Sequence, residues 1–105
     1  MSGERRNSVR KKVLLEAAWE SMSRKHEARV DDVSLGGCFV NTYGHVELKE
    51  SINLQILLPS GEWLPLRGQV ATYQPGVGFG MFFIALSENE TLALKKLISS
   101  IADED

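Results

Sequence analysis

The sequence predicts a mainly β protein: a small barrel of six antiparallel strands carrying one C-terminal helix. Three observations lead there. Short runs of alternating apolar and polar residues recur along the chain. Turn-forming pairs rich in Gly and Pro fall between those runs. The final segment then changes to apolar spacings of three and four, the period of a helix.

The strands can be taken in order. Val13, Leu15, Ala17 and Trp19 share one face, with Glu16 and Glu20 on the other, so a first strand begins at Val13. Ser23 to Glu27 is a charged run and reads as a hairpin connection, leaving a second strand over Ala28 to Val33. Ser34-Leu35-Gly36-Gly37 reads as a turn, its glycines permitting positive φ and a close approach of backbone. Cys38 to Asn41 follows as a short third strand. Ile52, Leu54, Ile56 and Leu58 alternate with polar residues as a fourth, closed by Pro59-Ser60-Gly61. A fifth runs from Trp63 to Tyr73, with Pro65 near its start where an edge or bulge tolerates it. Pro75-Gly76 turns the chain into a sixth, Phe79 to Ile84.

Ser87 and Glu90 form a capping box, and Leu94, Leu97, Ile98 and Ile101 make one face of a helix over residues 87–102. Acid at Asp103 to Asp105 opposes the helix dipole, so that end should fray. The organisation is one domain: an irregular basic arm over 1–12, a barrel over 13–86, and the helix.

Composition narrows the class. With 105 residues, 43% of them hydrophobic, the chain can build one core and no more. The lone Cys38 rules out an internal disulfide and a multi-cysteine zinc site. No apolar run reaches membrane-spanning length, and the N-terminus lacks the apolar stretch of a signal peptide. The expectation is a cytoplasmic protein with no membrane insertion.

Charge is unevenly placed. The first twelve residues hold five Lys or Arg against Glu4, while the whole chain is net -2, so the body is acidic. Broad nucleic-acid binding wants a basic face across the domain, which this body lacks. A cationic arm does suit a compact anion; a solubilising tail is the other reading.

Enzymatic constellations are missing. His26 and His45 read as solvated loop residues with no metal-ligand spacing beside them. Cys38 reads as a small buried hydrophobe. Asp31 and Asp32 are adjacent on a strand, so regular alternation sends them to opposite faces. Gly76 to Gly80 precedes a strand and not a helix, and reads as glycines that let a strand bend. Phe79, Phe82, Phe83 and Trp63 read as core or strand-face residues. The chain is expected to be a binding module, not an enzyme, and to need no cofactor.

Two features remain. Arg5, Arg6 and Arg10 present guanidinium forks, which suit phosphate oxygens and the acceptor edge of guanine. Asp32, Ser34, Gly36 and Gly37 combine an acid, a hydroxyl and a glycine turn, and a carboxylate complements the N–H edge of guanine. Together they describe a guanine nucleotide site; the second feature alone could be an ordinary side-chain-braced turn.

Arg6 to Arg10 fits R-x-x-x-R and Asp32 to Gly37 fits D/N-x-S-x-x-G, so the chain resembles the PilZ domain family, with no departure at the motif positions. That resemblance covers essentially the whole chain. It implies a stand-alone receptor for the bacterial second messenger cyclic di-GMP, whose output passes through another protein. Arg6 and Arg10 would grip guanine edges and phosphates, with Arg5 assisting and favouring a second ligand molecule. Asp32 and Ser34 would hold a guanine, and Gly36 and Gly37 would let backbone pass close to it. A PilZ-type adaptor for motility or pilus machinery and a small nucleic-acid-binding barrel are the alternatives.

Overall fold

The computed structural model describes residues 11–22 and 24–101, with side chains from Val13 onward. Its strands are β1 (Lys11–Ser21), β2 (Arg24–Val33), β3 (Gly37–Asn41), β4 (Ser51–Leu57), β5 (Trp63–Gln74) and β6 (Gly78–Phe83), followed by α1 (Glu88–Ser100). They close into a barrel in the order β1-β2-β3-β6-β5-β4, antiparallel throughout. The expected six-stranded antiparallel barrel with a C-terminal helix is therefore the observed architecture. Closure pairs β1 with β4, so every strand has two neighbours and no sheet edge stays open.

Inward positions carry the apolar residues that alternation marked out. Trp19, Val30, Val40, Leu54, Ile56, Val70 and Phe79 are all buried. Trp19 is the largest, and its indole N–H donates to Thr42 Oγ1 at 3.1 Å, so the buried donor is satisfied. Its ring stacks on His26 at 4.3 Å between centroids and meets Phe79 edge-on at 5.2 Å.

Several boundaries differ from the sequence reading. β1 begins at Lys11, so the last two residues assigned to the arm are strand. β2 begins at Arg24, so the charged run taken for a connection is strand as well. Cross-strand pairs explain it: Glu20 faces Lys25 and Glu16 faces Arg29, opposite charges that stabilise a wet pair of strands. Met22, at φ 58, makes the tight turn instead. His26 is consequently a strand residue packed on Trp19, not a solvated loop residue. The helix runs to Ser100, with Ile101 as its cap; the remaining residues, 102–105, lie outside the described ones.

α1 packs Leu94 and Leu97 onto the barrel. Its expected capping box is present: Ser87 Oγ accepts from Glu90 N at 3.1 Å, and Ser87 N donates to Glu90 Oε1 at 2.9 Å. Arg67 of β5 donates to Glu90 Oε1 at 2.6 Å and to the Ala85 carbonyl at 2.9 Å, tying barrel to helix. The Arg67 hydrogen bond, with the Ser87 backbone N–H behind it, holds the Glu90 carboxyl below the ordinary glutamate range. Pro65 pairs only with Gln55 of β4, because the β6 ladder starts at Gly68.

Candidate functional site

β2 ends at Val33, and the chain reverses through Ser34, Leu35 and Gly36 into β3. Ser34 braces this reversal. Its N–H donates to the Gly37 carbonyl at 2.8 Å, and its Oγ accepts from Gly36 N at 3.2 Å and Gly37 N at 3.3 Å. The hydroxyl is buried and engaged with its own turn. Ser34 therefore sets the backbone shape of the loop.

The two glycines do different work. Neither takes a positive φ, contrary to the sequence expectation. A Cβ on Gly37 would sit 2.2 Å from the Met81 carbonyl oxygen, so β3 lies against β6 because this residue is glycine. Among the described residues, a Cβ on Gly36 would meet only Ser34 Oγ, at 4.0 Å. The Gly36 carbonyl accepts from Phe83 N at 2.8 Å, which stitches the turn to β6.

Asp32 lies opposite Lys12 on β1 and Phe39 on β3, and is half-buried. A bulge just before it breaks alternation: Val30 and Val33, three apart, are both fully buried. The premise that sent Asp31 and Asp32 to opposite faces fails here. Asp31 Oδ1 is buried without a hydrogen-bond partner among the described residues.

Asp32, Ser34, Gly36 and Gly37 thus sit in one strand end and turn. Arg5, Arg6 and Arg10 lie outside the described residues. The β1–β2 register still bears on them. Lys11 pairs with Val33 and Lys12 with Asp32, so the chain enters β1 beside the turn.

An open groove of about 1310 Å³ lies elsewhere, lined among others by Leu14, Glu16, Lys25, Glu27, Arg29 and Tyr43. Among the described residues, none of the motif positions lines it, and its acids offset its bases, which suits an anion poorly. Cys38 is buried, as expected of a small hydrophobe. His45 is exposed, 2.9 Å from Glu47 and 3.4 Å from the Tyr73 hydroxyl.

On the outer face beside the turn, Phe82 was legible as a core or strand-face residue, but Phe39 went unmarked. Phe79 is core, but Phe82 is 44% exposed and Phe39 also points outward, opposite Asp32. The signal was available: Phe39 is out of phase with Cys38 and Val40.

Among solved structures, the chain is similar to the Bacillus subtilis inhibitor of motility, MotI/DgrA, with TM-score 0.73 and 18% identity. That likeness covers 91% of this chain and 50% of the other, so this chain spans about half its length. It is also similar to the PilZ domain of CeSA from a cellulose-synthesizing bacterium, with TM-score 0.69 and 18% identity, covering 88% and 97%. No curated protein matches the sequence. The family model for the PilZ domain matches residues 4–101, almost the full length, and on that match the chain belongs to the PilZ domain family.

Proposed function

We propose that this PilZ domain is a receptor for cyclic di-GMP that signals by ordering its N-terminal arm and so recruiting a partner protein. The observation that carries the reading is the β1–β2 register. Arg10 is bonded to Lys11, and Lys11 pairs with Val33, one residue before the Ser34 turn. The strand that the first motif leads into therefore starts beside the second motif, which supports a single site built from both. The guanidinium groups of Arg6 and Arg10 take guanine acceptors and phosphates, with Arg5 adding charge for a second ligand molecule. Asp32 accepts from the N–H edge of a guanine. Ser34, Gly36 and Gly37 shape the loop past which the ligand lies, and Ser34 does so through its own backbone bonds.

Ligand phosphates remove the mutual repulsion of the three arginines, and the ordered arm then offers a surface for a partner. By reciprocity, such a partner tightens ligand binding by the same factor. The catalytic role is none, and a location in the cytoplasm follows from where this messenger acts. Among the described residues no helix is long and apolar enough to cross a membrane.

Calorimetric titration with cyclic di-GMP tests the reading. Binding with two ligands per chain, weakened by Asp32→Ala, is the expected result. An absence of binding overturns it. Backbone order parameters for residues 4–10 test the switch: values near 0.85 before ligand is added would leave no ordering to do.

A further inference from the structure

The outer surface of β3 and β6 carries a two-by-two lattice of rings and glycines. Phe39 stands cross-strand from Gly80, and Gly37 stands cross-strand from Phe82. Cys38, Val40, Phe79 and Met81, the intervening positions, are buried, so Phe39 and Phe82 share the outer face. Each ring thus has a neighbour with no side chain. The Phe39 ring uses that space: a Cβ on Gly78 would meet its Cε2 at 3.0 Å, and one on Gly80 its Cδ1 at 3.8 Å. Glycines 78 and 80, which the sequence offered only as places for a strand to bend, are the bed on which this ring lies.

The face remains apolar around the motif turn. Phe82 is 44% exposed, Ile84 39% and Leu35 38%. The Phe83 N–H to Gly36 carbonyl bond, 2.8 Å, holds this patch and the turn together as one surface. Asp32 borders it as the cross-strand partner of Phe39. Directly opposed side chains on one sheet face are about 5 Å apart at Cβ. Asp32 and Phe39 are thus direct cross-strand partners at the border of this patch.

We propose that Phe39 and Phe82 form the platform on which one purine face of the bound dinucleotide rests, with the polar edge of that base turned to Asp32. This inference rests on the receptor reading above and adds the two residues that bind the base by its face. A purine is a flat plate with a polar rim, and a site that meets only the rim leaves the face in water. Phenyl rings supply face contact without reading sequence-specific donors, while the carboxylate selects a base with adjacent N–H groups. The glycines keep the platform low, so that a plate can approach it.

The test is calorimetric titration of the full chain with cyclic di-GMP, for wild type, Phe82→Ala, Phe82→Trp, Phe39→Leu and Asp32→Ala. Proton spectra of the ligand follow the guanine H8 resonances in parallel. Phe82→Ala should weaken binding roughly 5- to 150-fold, the span of base–aromatic stacking, and Phe82→Trp should retain it. The H8 signal should shift upfield on binding wild type and lose that shift with Phe82→Ala. Phe39 contacts backbone, so Phe39→Leu can disturb folding; Phe82 is exposed, and Phe82→Ala keeps the test decisive. If Asp32→Ala weakens binding while Phe82→Ala binds like wild type with H8 still shifted, the platform is refuted and the receptor reading stands. If wild type binds no cyclic di-GMP, the receptor reading falls and the platform with it.

Discussion

Replacing Gly37 by alanine separates two roles that the motif glycine could have. The new Cβ would lie 2.2 Å from the Met81 carbonyl oxygen, 3.1 Å from Phe82 Cα and 3.2 Å from Met81 C, all of them backbone. No side chain can rotate away, so β3 and β6 must part by roughly 1 Å to regain ordinary van der Waals distance. Overpacking of this kind costs about 1–3 kcal/mol. Stretching two ladder hydrogen bonds adds about 0.5–1.5 kcal/mol each. A total near 3 kcal/mol is a large share of the roughly 5–15 kcal/mol that holds a domain folded. At about 4–8 °C per kcal/mol, the melting temperature should fall on the order of 15 °C. Gly36→Ala is the control. Among the described residues its Cβ meets only Ser34 Oγ, at 4.0 Å, and the backbone is not left-handed, so it should melt within about 3 °C of wild type. Thermal unfolding without ligand, followed by circular dichroism, reads both. Gly37→Ala melting like wild type would refute this steric role, since the glycine would then serve the ligand and not the barrel.

Other expectations are open to direct measurement. Thr42→Val removes the acceptor of the buried Trp19 indole and of Gly44 N, and should cost about 1–3 kcal/mol in urea unfolding. Glu90→Gln should lower the melting temperature at pH 7 and lose its effect in acid. The folded-state pKa of Glu90 is depressed by Arg67, so its stabilisation is present above the ordinary glutamate pKa and is lost as pH falls through the folded value. An unchanged gap between the two proteins at pH 2 would contradict the Arg67–Glu90 account. Arg6→Ala and Arg10→Ala should each cost roughly 1–3 kcal/mol of cyclic di-GMP binding and leave folding intact. Collapse of stability with affinity retained would make the arm structural.

Period-two alternation together with the turn signals between runs was enough to place six strands, because a closed barrel buries one face of each and leaves the other wet. Ile52, Leu54 and Ile56 show it without ambiguity. The helix was equally legible, since Ser87 and Glu90 advertise a local hydrogen-bond pair that needs no distant partner. The motif turn was visible as a turn. Its bracing by Ser34 is likewise local, spanning three residues. The start of β2 was hidden, because Arg24, Lys25 and Glu27 are exposed and the residue that packs inward, His26, is polar, so apolar alternation has nothing to mark there.

By itself, then, the sequence determined those features whose cause lies within a few residues: strand faces, the capped helix, and the motif composition. Only the tertiary structure decided the features that depend on which strand lies next door. Strand order is one, with β6 set between β3 and β5. The bulge just before Asp32 is another, since it exists only relative to β3. The reason Gly37 must be glycine is a third, because the atom that forbids a Cβ belongs to Met81, forty-four residues further along the chain. Alternation fixes the face on which a side chain stands but carries no record of its cross-strand neighbour. That neighbour is set by register and closure, and these are settled only when distant strands pair.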